Sequence, residues 1–264
     1  MLRDQIDMTD NTPLCAAQVA AFENDGYLVL PRMVAAPDCE RLAGVTRAHL
    51  AQALPPVEFE AEVGYAGAPA TLDSVGGRTV RRLRDAYQRH PLYRAWAGDP
   101  RLLALLAQLL GEPVCLTLAH HNCVMTKHPD FGTATGWHRD IRYWSFARNA
   151  LISVWLALDS ESEANGGLHV IPGSHRLTLA PQQMDALDFL RPDVAQNQPL
   201  FAQGKSVDLQ QGDVLLFHSG LFHAAGRNNS TAVKQSLVFA YHGQSNQPLP
   251  GSRSAASDSI LLGS

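Results

Sequence analysis

His138 and Asp140 stand two residues apart in the run Thr135-Gly-Trp-His-Arg-Asp-Ile-Arg-Tyr-Trp-Ser145. Alternate side chains of a β-strand share a face. One strand end can therefore offer an imidazole and a carboxylate to the same ion. A second imidazole from elsewhere would complete the two-histidine, one-carboxylate set that holds non-haem Fe(II) in oxygenases and leaves open positions opposite. With 11 histidines in the chain, that partner has to be argued from its surroundings. After the strand-like run Val214–Phe217 come His218 and His223. His223 lies in Leu221-Phe-His-Ala-Ala-Gly226, apolar before and small after, so the backbone there can approach a bound ligand. His218 is the competing candidate.

These residues need a scaffold, and the chain changes texture to provide one. Residues 14–25 have helical spacing and stop at Gly26, Tyr27–Leu30 is a short strand, and Pro37-Asp38 opens a helix to about Gln52. Residues 55–77 are rich in Pro, Gly and Ala and read as a long loop or lid. Arg78, Arg81, Arg82, Arg84 and Arg89 follow, a patch for an anionic substrate or, more plainly, a solvated face with local ion pairs. Pro91–Leu110 is helical and ends at Gly111. From Val114 onward short apolar runs alternate with Gly, Pro and Asn turns: Val114–Leu118, Asn122–Lys127, Trp137–Asp140, Leu151–Leu158, Leu168–Ile171, Ser206–Leu209, Val214–Phe217 and Ser236–Tyr241. This order predicts a mainly β chain with flanking helices, its core a double-stranded β-helix, or jelly-roll barrel. The expected organisation is a single domain: helical front 14–111, jelly-roll core 112–243, and a flexible Ser-, Gly- and Pro-rich tail 244–264. Residues 181–204 read as an insertion with one short helix.

Composition sets outer bounds. The 264 residues are 45% hydrophobic and 17% charged, enough for a real core, and the net charge of −4 gives no general case for nucleic acid. The polar segment Met1–Pro13 does not read as a signal peptide, and no apolar run reaches the length of a membrane span. The four cysteines, Cys15, Cys39, Cys115 and Cys123, are scattered and read as reduced thiols. The expectation is a cytoplasmic protein, monomer or homodimer, acting on a small molecule without nucleic-acid or membrane partners.

Several motifs together resemble the phytanoyl-CoA dioxygenase family. They are Phe22-Glu-Asn-Asp-Gly-Tyr-Leu-Val-Leu30, Asp99-Pro-Arg-Leu-Leu103, Trp137-His-Arg-Asp140, Trp155-Leu-Ala-Leu-Asp159, Asn165-Gly-Gly-Leu168, Ile171-Pro-Gly-Ser-His175 and Gly212-Asp-Val-Leu-Leu-Phe-His218 followed by His223. The match runs from about residue 14 to 243. The resemblance implies an Fe(II)- and 2-oxoglutarate-dependent dioxygenase that uses O₂ to hydroxylate, desaturate or cyclise at an unactivated C–H bond, with secondary metabolism the expected setting. It selects His138, Asp140 and His223 as the iron ligands, makes His218 structural, and implies no catalytic side chains beyond the ligands. Asp140 disfavours a halogenase, because related halogenases lack the carboxylate so that chloride can coordinate. The same residues would also suit a non-oxygenase metal enzyme or a non-catalytic ligand-binding jelly roll.

The co-substrate pocket departs from the family pattern. An Arg usually stands eleven residues after the distal His and pairs with the far carboxylate of 2-oxoglutarate. Here that residue is Lys234, a point charge in place of a planar fork, with Arg227 as a fallback. The hydroxyl usual two residues after the His is replaced by Ala225, so Ser236 is the candidate substitute. Period two along 121–127 puts His121, Cys123, Met125 and Lys127 on one face. Met125, Thr135 and Trp155 are expected to pack against the co-substrate. His121, Arg142, Tyr143 and Trp144 are expected to face the substrate.

Overall fold

The computed structural model describes residues 13–263, so residues 1–12 of the segment read as lacking a signal peptide lie outside the described residues. The front of the chain holds α1 (Ala16–Asp25), β1 (Tyr27–Leu30), α2 (Ala36–Ala51), β2 (Val57–Phe59), β3 (Val80–Arg84), α3 (Ala86–Arg89), α4 (Pro91–Ala97) and α5 (Pro100–Leu110). Next come β4 (Val114–Lys127), β5 (Thr135–His138), β6 (Leu151–Ala157), β7 (Leu168–Val170), α6 (Gln198–Phe201), β8 (Lys205–Val207), β9 (Val214–His218), β10 (His223–Ala225), β11 (Lys234–Gly243) and β12 (Ser259–Leu261). The helix ends follow local chemistry. Asp99 accepts the Arg101 N–H at 2.9 Å to open α5, and Gly111 at φ 71° closes it in the left-handed region.

Two antiparallel sheets carry the structure. The larger has the order β1-β9-β6-β11-β4-β3-β2, with β12 also paired to β4, and the smaller has the order β5-β10-β7-β8. Strand β6 shows how they stack. Val154 and Leu156 join the core under the helices, while Trp155 and Ala157 join a second core shared with Leu168 and Val170 of the smaller sheet. Covered on both faces, β6 is buried along its whole length, so its sequence Leu-Ile-Ser-Val-Trp-Leu-Ala shows little alternation.

Three expectations change. The arginine-rich segment is only partly a solvated face: Arg78 and Arg84 are exposed, but β3 is a strand of the large sheet, Arg81 is buried against Glu60 at 3.0 Å, and Arg82 is paired with Glu58 at 2.6 Å. Their partners come from the segment read as an irregular lid, too far along the chain for the pairing to be visible locally. The tail is not simply mobile, because β12 pairs with Thr117, Leu116 and Cys115 on β4. It fills the length of β4 that β3, paired only at Cys123–Met125, leaves open. Finally, the two strands expected at 114–118 and 122–127 are one element with a bulge. Its pairing to β11 skips from Asn122 to Thr117, with His120 at φ 66°. The bulge re-aims the strand, and His121 now faces the smaller sheet's end.

Candidate active site

Strand β5 ends on His138, and its direct partner across the ladder is His223, the first residue of β10. The two rings lie 4.2 Å apart between centroids. Each Nδ1 faces a backbone carbonyl, Gly136 at 2.9 Å for His138 and Leu221 at 3.0 Å for His223. A carbonyl only accepts, so Nδ1 carries the hydrogen in each neutral ring and the Nε2 lone pair is left free. The chain then leaves the sheet in a short 3-10 turn, Asp140–Tyr143, which swings Asp140 beneath both rings. Asp140 Oδ1 lies 3.7 Å from His138 Nε2 and 3.4 Å from His223 Nε2. The ligand atoms of the three residues fall within 4.8 Å of one another, and all three residues are buried.

The second oxygen of Asp140 is held from the large sheet and its bulge. Ser153 Oγ donates to Oδ2 at 3.1 Å, and His121 Nδ1 stands 3.3 Å from the same oxygen. Oδ1 has no hydrogen-bond partner among the described atoms. A fully buried carboxylate oxygen left so is costly, and this one points at two imidazole lone pairs. A divalent cation satisfies all three at once, and His₂Asp is a donor set suited to Fe(II). Burial would raise the Asp140 carboxyl, but the imidazoles of His121, His223 and His138 outweigh it and hold the carboxyl below the ordinary range. Burial pushes His138 well below the ordinary imidazole value. It pushes His121 down to about 4 despite the attraction of Asp140. His218, the competing ligand, lies apart: its Nδ1 accepts the Gly220 N–H at 2.9 Å and its ring packs on His175.

A cavity of about 610 Å³, counting its open mouth, leads from the three ligands between the sheets. Of the expected co-substrate residues, Met125, Thr135, Trp155 and Lys234 line it, together with His121 and Ala225. At the far end Lys234 Nζ donates to Glu161 Oε2 at 2.9 Å and to Ser236 Oγ at 3.2 Å. Glu161 Oε1 accepts from Ser236 Oγ at 2.6 Å and from the Trp155 indole at 2.9 Å. Trp155, Lys234 and Ser236 are thus brought together as expected, but around an acid that no motif in the sequence marks. Arg227 sits on an exposed turn, its guanidinium 3.5 Å from the Gly67 carbonyl.

The expected substrate residues divide. Arg142 lies over the Phe189 ring at 4.4 Å and the Tyr143 ring at 5.1 Å, and Tyr143 meets Tyr65 hydroxyl to hydroxyl at 3.1 Å. Phe189 and Tyr143 both flank the His138 ring, at 5.4 and 6.4 Å. Trp144 is buried, donates its indole N–H to the Ala119 carbonyl and packs edge-on to His121 at 5.0 Å. It braces the bulge; of the four expected substrate residues only His121 lines the cavity, and Arg142, Tyr143 and Trp144 do not. Sequence reasoning missed Glu161, Phe189 and Tyr65, whereas Arg81, named there only as part of an arginine patch, lines the cavity and donates its guanidinium to Thr135 Oγ1 at 2.8 Å. For Lys127 the period-two row ending there was a signal; for Phe189 and Tyr65, inside an insertion and a loop, there was none.

Two open antiparallel sheets face to face, with two histidines and an aspartate at one end of the space between them, define a jelly-roll metalloenzyme of the non-haem iron type. The model of the phytanoyl-CoA dioxygenase (PhyH) family matches residues 22–236, and the chain belongs to that family. It is a 2-oxoglutarate-dependent non-haem iron dioxygenase, with Fe(II), 2-oxoglutarate and O₂ as its cofactor and co-substrates. The peroxisomal phytanoyl-CoA dioxygenase of Mus musculus is 26% identical over 242 residues, covering 86% of this chain and 68% of that one. Among solved structures, EctD from S. alaskensis with 2-oxoglutarate and 5-hydroxyectoine superposes with a TM-score of 0.73 at 23% identity, over 94% of this chain and 87% of that one. The 2-oxoglutarate-dependent carbocyclase SnoK from nogalamycin biosynthesis gives 0.71 at 19% identity, over 95% and 92%. Both share the jelly-roll fold. Among the described residues no helix is long and apolar enough to cross a membrane.

Proposed function

We propose that this dioxygenase oxidises an unactivated C–H bond of a small polar metabolite, by hydroxylation or by desaturation or ring closure, in a secondary pathway. In this reading His138, Asp140 and His223 hold the iron, and 2-oxoglutarate occupies the cavity beside Met125, Thr135 and Trp155. The observation that carries it is the buried Asp140 Oδ1, aimed without a donor at two Nε2 atoms at the head of a closed-sided cavity. When bound, iron would couple the oxidative decarboxylation of 2-oxoglutarate to the attack on the substrate.

The chain's own contribution is orientation and exclusion of water. Gly136 and Leu221 fix the tautomers of the two histidines, and the Ser153 hydrogen bond fixes the rotation of the carboxylate, with the His121 ring packed beside it. Arg142, Tyr143, Phe189 and Tyr65 form an aromatic frame with one positive charge beside His138, suited to a small molecule with a polar or anionic group and some flat or apolar surface. EctD and SnoK, whose names tie them to ectoine and to nogalamycin biosynthesis, support a small-metabolite substrate by analogy of fold.

The test is succinate formation from 2-oxoglutarate by anaerobically iron-loaded protein exposed to O₂, with His223→Ala alongside. Turnover in the native protein and background rates in His223→Ala are expected, with loss of bound iron in the variant. Equal turnover in both would sink the assignment of the ligands.

A further inference from the structure

The far end of the cavity holds two lysines and one pairing acid. Lys127 ends β4, Lys234 begins β11, and the two are direct partners in the antiparallel register. Both line the cavity, at 6% and 4% exposure. Like charges opposite one another on a sheet repel, and a buried ammonium without a counter-ion is costly. Among the described residues, only Lys234 of the two has a carboxylate ion-pair partner. Glu161 gives Oε2 to Lys234, and its Oε1 is taken by Ser236 and Trp155. Lys127 donates to a backbone carbonyl, that of Thr133 at 2.9 Å, which also accepts from Arg81. Of the nearby acids, Glu60 gives Oε2 to Arg81 while its charge also favours the Lys127 ammonium, and Glu58 pairs with Arg82, so Arg81, Lys127 and Lys234 share two carboxylates, Glu60 and Glu161. Among the described residues, no carboxylate forms an ion pair with Lys127.

The position of Lys127 is built. A Cβ at Gly132 would stand 2.9 Å from its Cδ, and one at Gly166 would stand 3.2 Å from its Cγ. Two absent side chains thus leave the slot through which the lysine stem runs. With one of its three donors used, the ammonium keeps two for a ligand.

We infer that Lys127, rather than Lys234, anchors the distal carboxylate of 2-oxoglutarate; this rests on the oxygenase reading above. Lys234 then serves as a fixed wall charge, neutralised by Glu161 and seated over the Trp155 ring at 4.9 Å. Burial, with the charges of Arg81 and Lys234, outweighs the attraction of Glu60 and pushes the Lys127 ammonium well below the ordinary lysine value, and an incoming carboxylate supplies a further opposite charge.

The experiment is anaerobic titration calorimetry of the iron-loaded protein with 2-oxoglutarate and with 2-oxovalerate, which keeps the chelating end and lacks the distal carboxylate. The native protein is expected to prefer 2-oxoglutarate by about 10- to 100-fold, the range of a hydrogen-bonded charge. Lys127→Met should reduce that preference to about twofold or less and abolish the rise in melting temperature that 2-oxoglutarate confers. The double variant Lys234→Met/Glu161→Gln, which removes the ion pair as a unit, should keep the preference. A preference retained in Lys127→Met, or lost in the double variant, overturns the assignment. If Lys127→Met does not fold, the double variant alone decides. Native protein that binds both acids equally defeats the anchor but leaves the oxygenase reading; native protein that binds neither defeats both.

Discussion

The two ends of the cavity are built on opposite principles. The metal end takes its ligands from the edge of the smaller sheet and the turn beyond β5, and it is short of a cation: one buried carboxylate oxygen has no donor. The far end belongs to the large sheet and is short of an anion, since of two facing lysines only Lys234 has a carboxylate partner, Glu161. Neither deficit is cheap in a buried site, because uncompensated charge loses its hydration. Together they describe what the cavity accepts, a molecule that meets a metal at one end and presents a carboxylate at the other. Polarisation of this kind fixes the direction in which a dicarboxylate binds.

The comparison can be broken at the far end by Glu161→Gln. It leaves the buried Lys234 facing Lys127 without its ion-pair partner, and the expected loss is about 3–5 kcal/mol of stability, read by chemical denaturation. Adding Lys234→Met should recover most of that loss. A single variant as stable as the native protein would mean that the pair is not energetically coupled. Gly166→Ala comes next. Its residue sits at φ 76°, and the new Cβ would lie 2.8 Å from the Gly226 carbonyl and 3.2 Å from the Lys127 stem. A loss of about 1–3 kcal/mol in thermal unfolding, together with weaker 2-oxoglutarate binding, is expected. Stability lost with affinity intact would separate the turn from the lysine slot. The smallest effect probes the metal end. Ser153→Ala removes one hydrogen bond to Asp140 Oδ2 and should weaken iron binding by about tenfold, measured by competition with a chelator. Unchanged affinity would show that the carboxylate keeps its orientation without the Ser153 hydrogen bond.

The ligands were legible because they obey local rules. His138 and Asp140 lie two apart at a strand end, and His223 lies between apolar and small residues that mark a buried, closely approached backbone. The strand-rich second half was legible for the same reason, since turn residues punctuate it. The far end was legible only in part. Lys234 and Trp155 could be placed by their positions in a motif, but Glu161 meets Lys234 across 73 residues, and nothing in its neighbourhood marks it as buried. Arg81 and Arg82 look like a surface run because their acids, Glu60 and Glu58, stand 21 and 24 residues away in a segment without periodicity.

By itself, the sequence marked most of the helices and strands and set His138 and Asp140 two apart, because strand parity and residue chemistry act over a few neighbours, and the family resemblance added His223 as their candidate partner. Tertiary structure alone decided which charges cancel. The register that sets Lys127 opposite Lys234, the bulge that turns His121 onto Asp140, and the turn that carries Glu161 under Lys234 are all products of sheet pairing between distant segments. Compensation between buried charges depends on distances of a few ångströms, and those exist only once the sheets have packed.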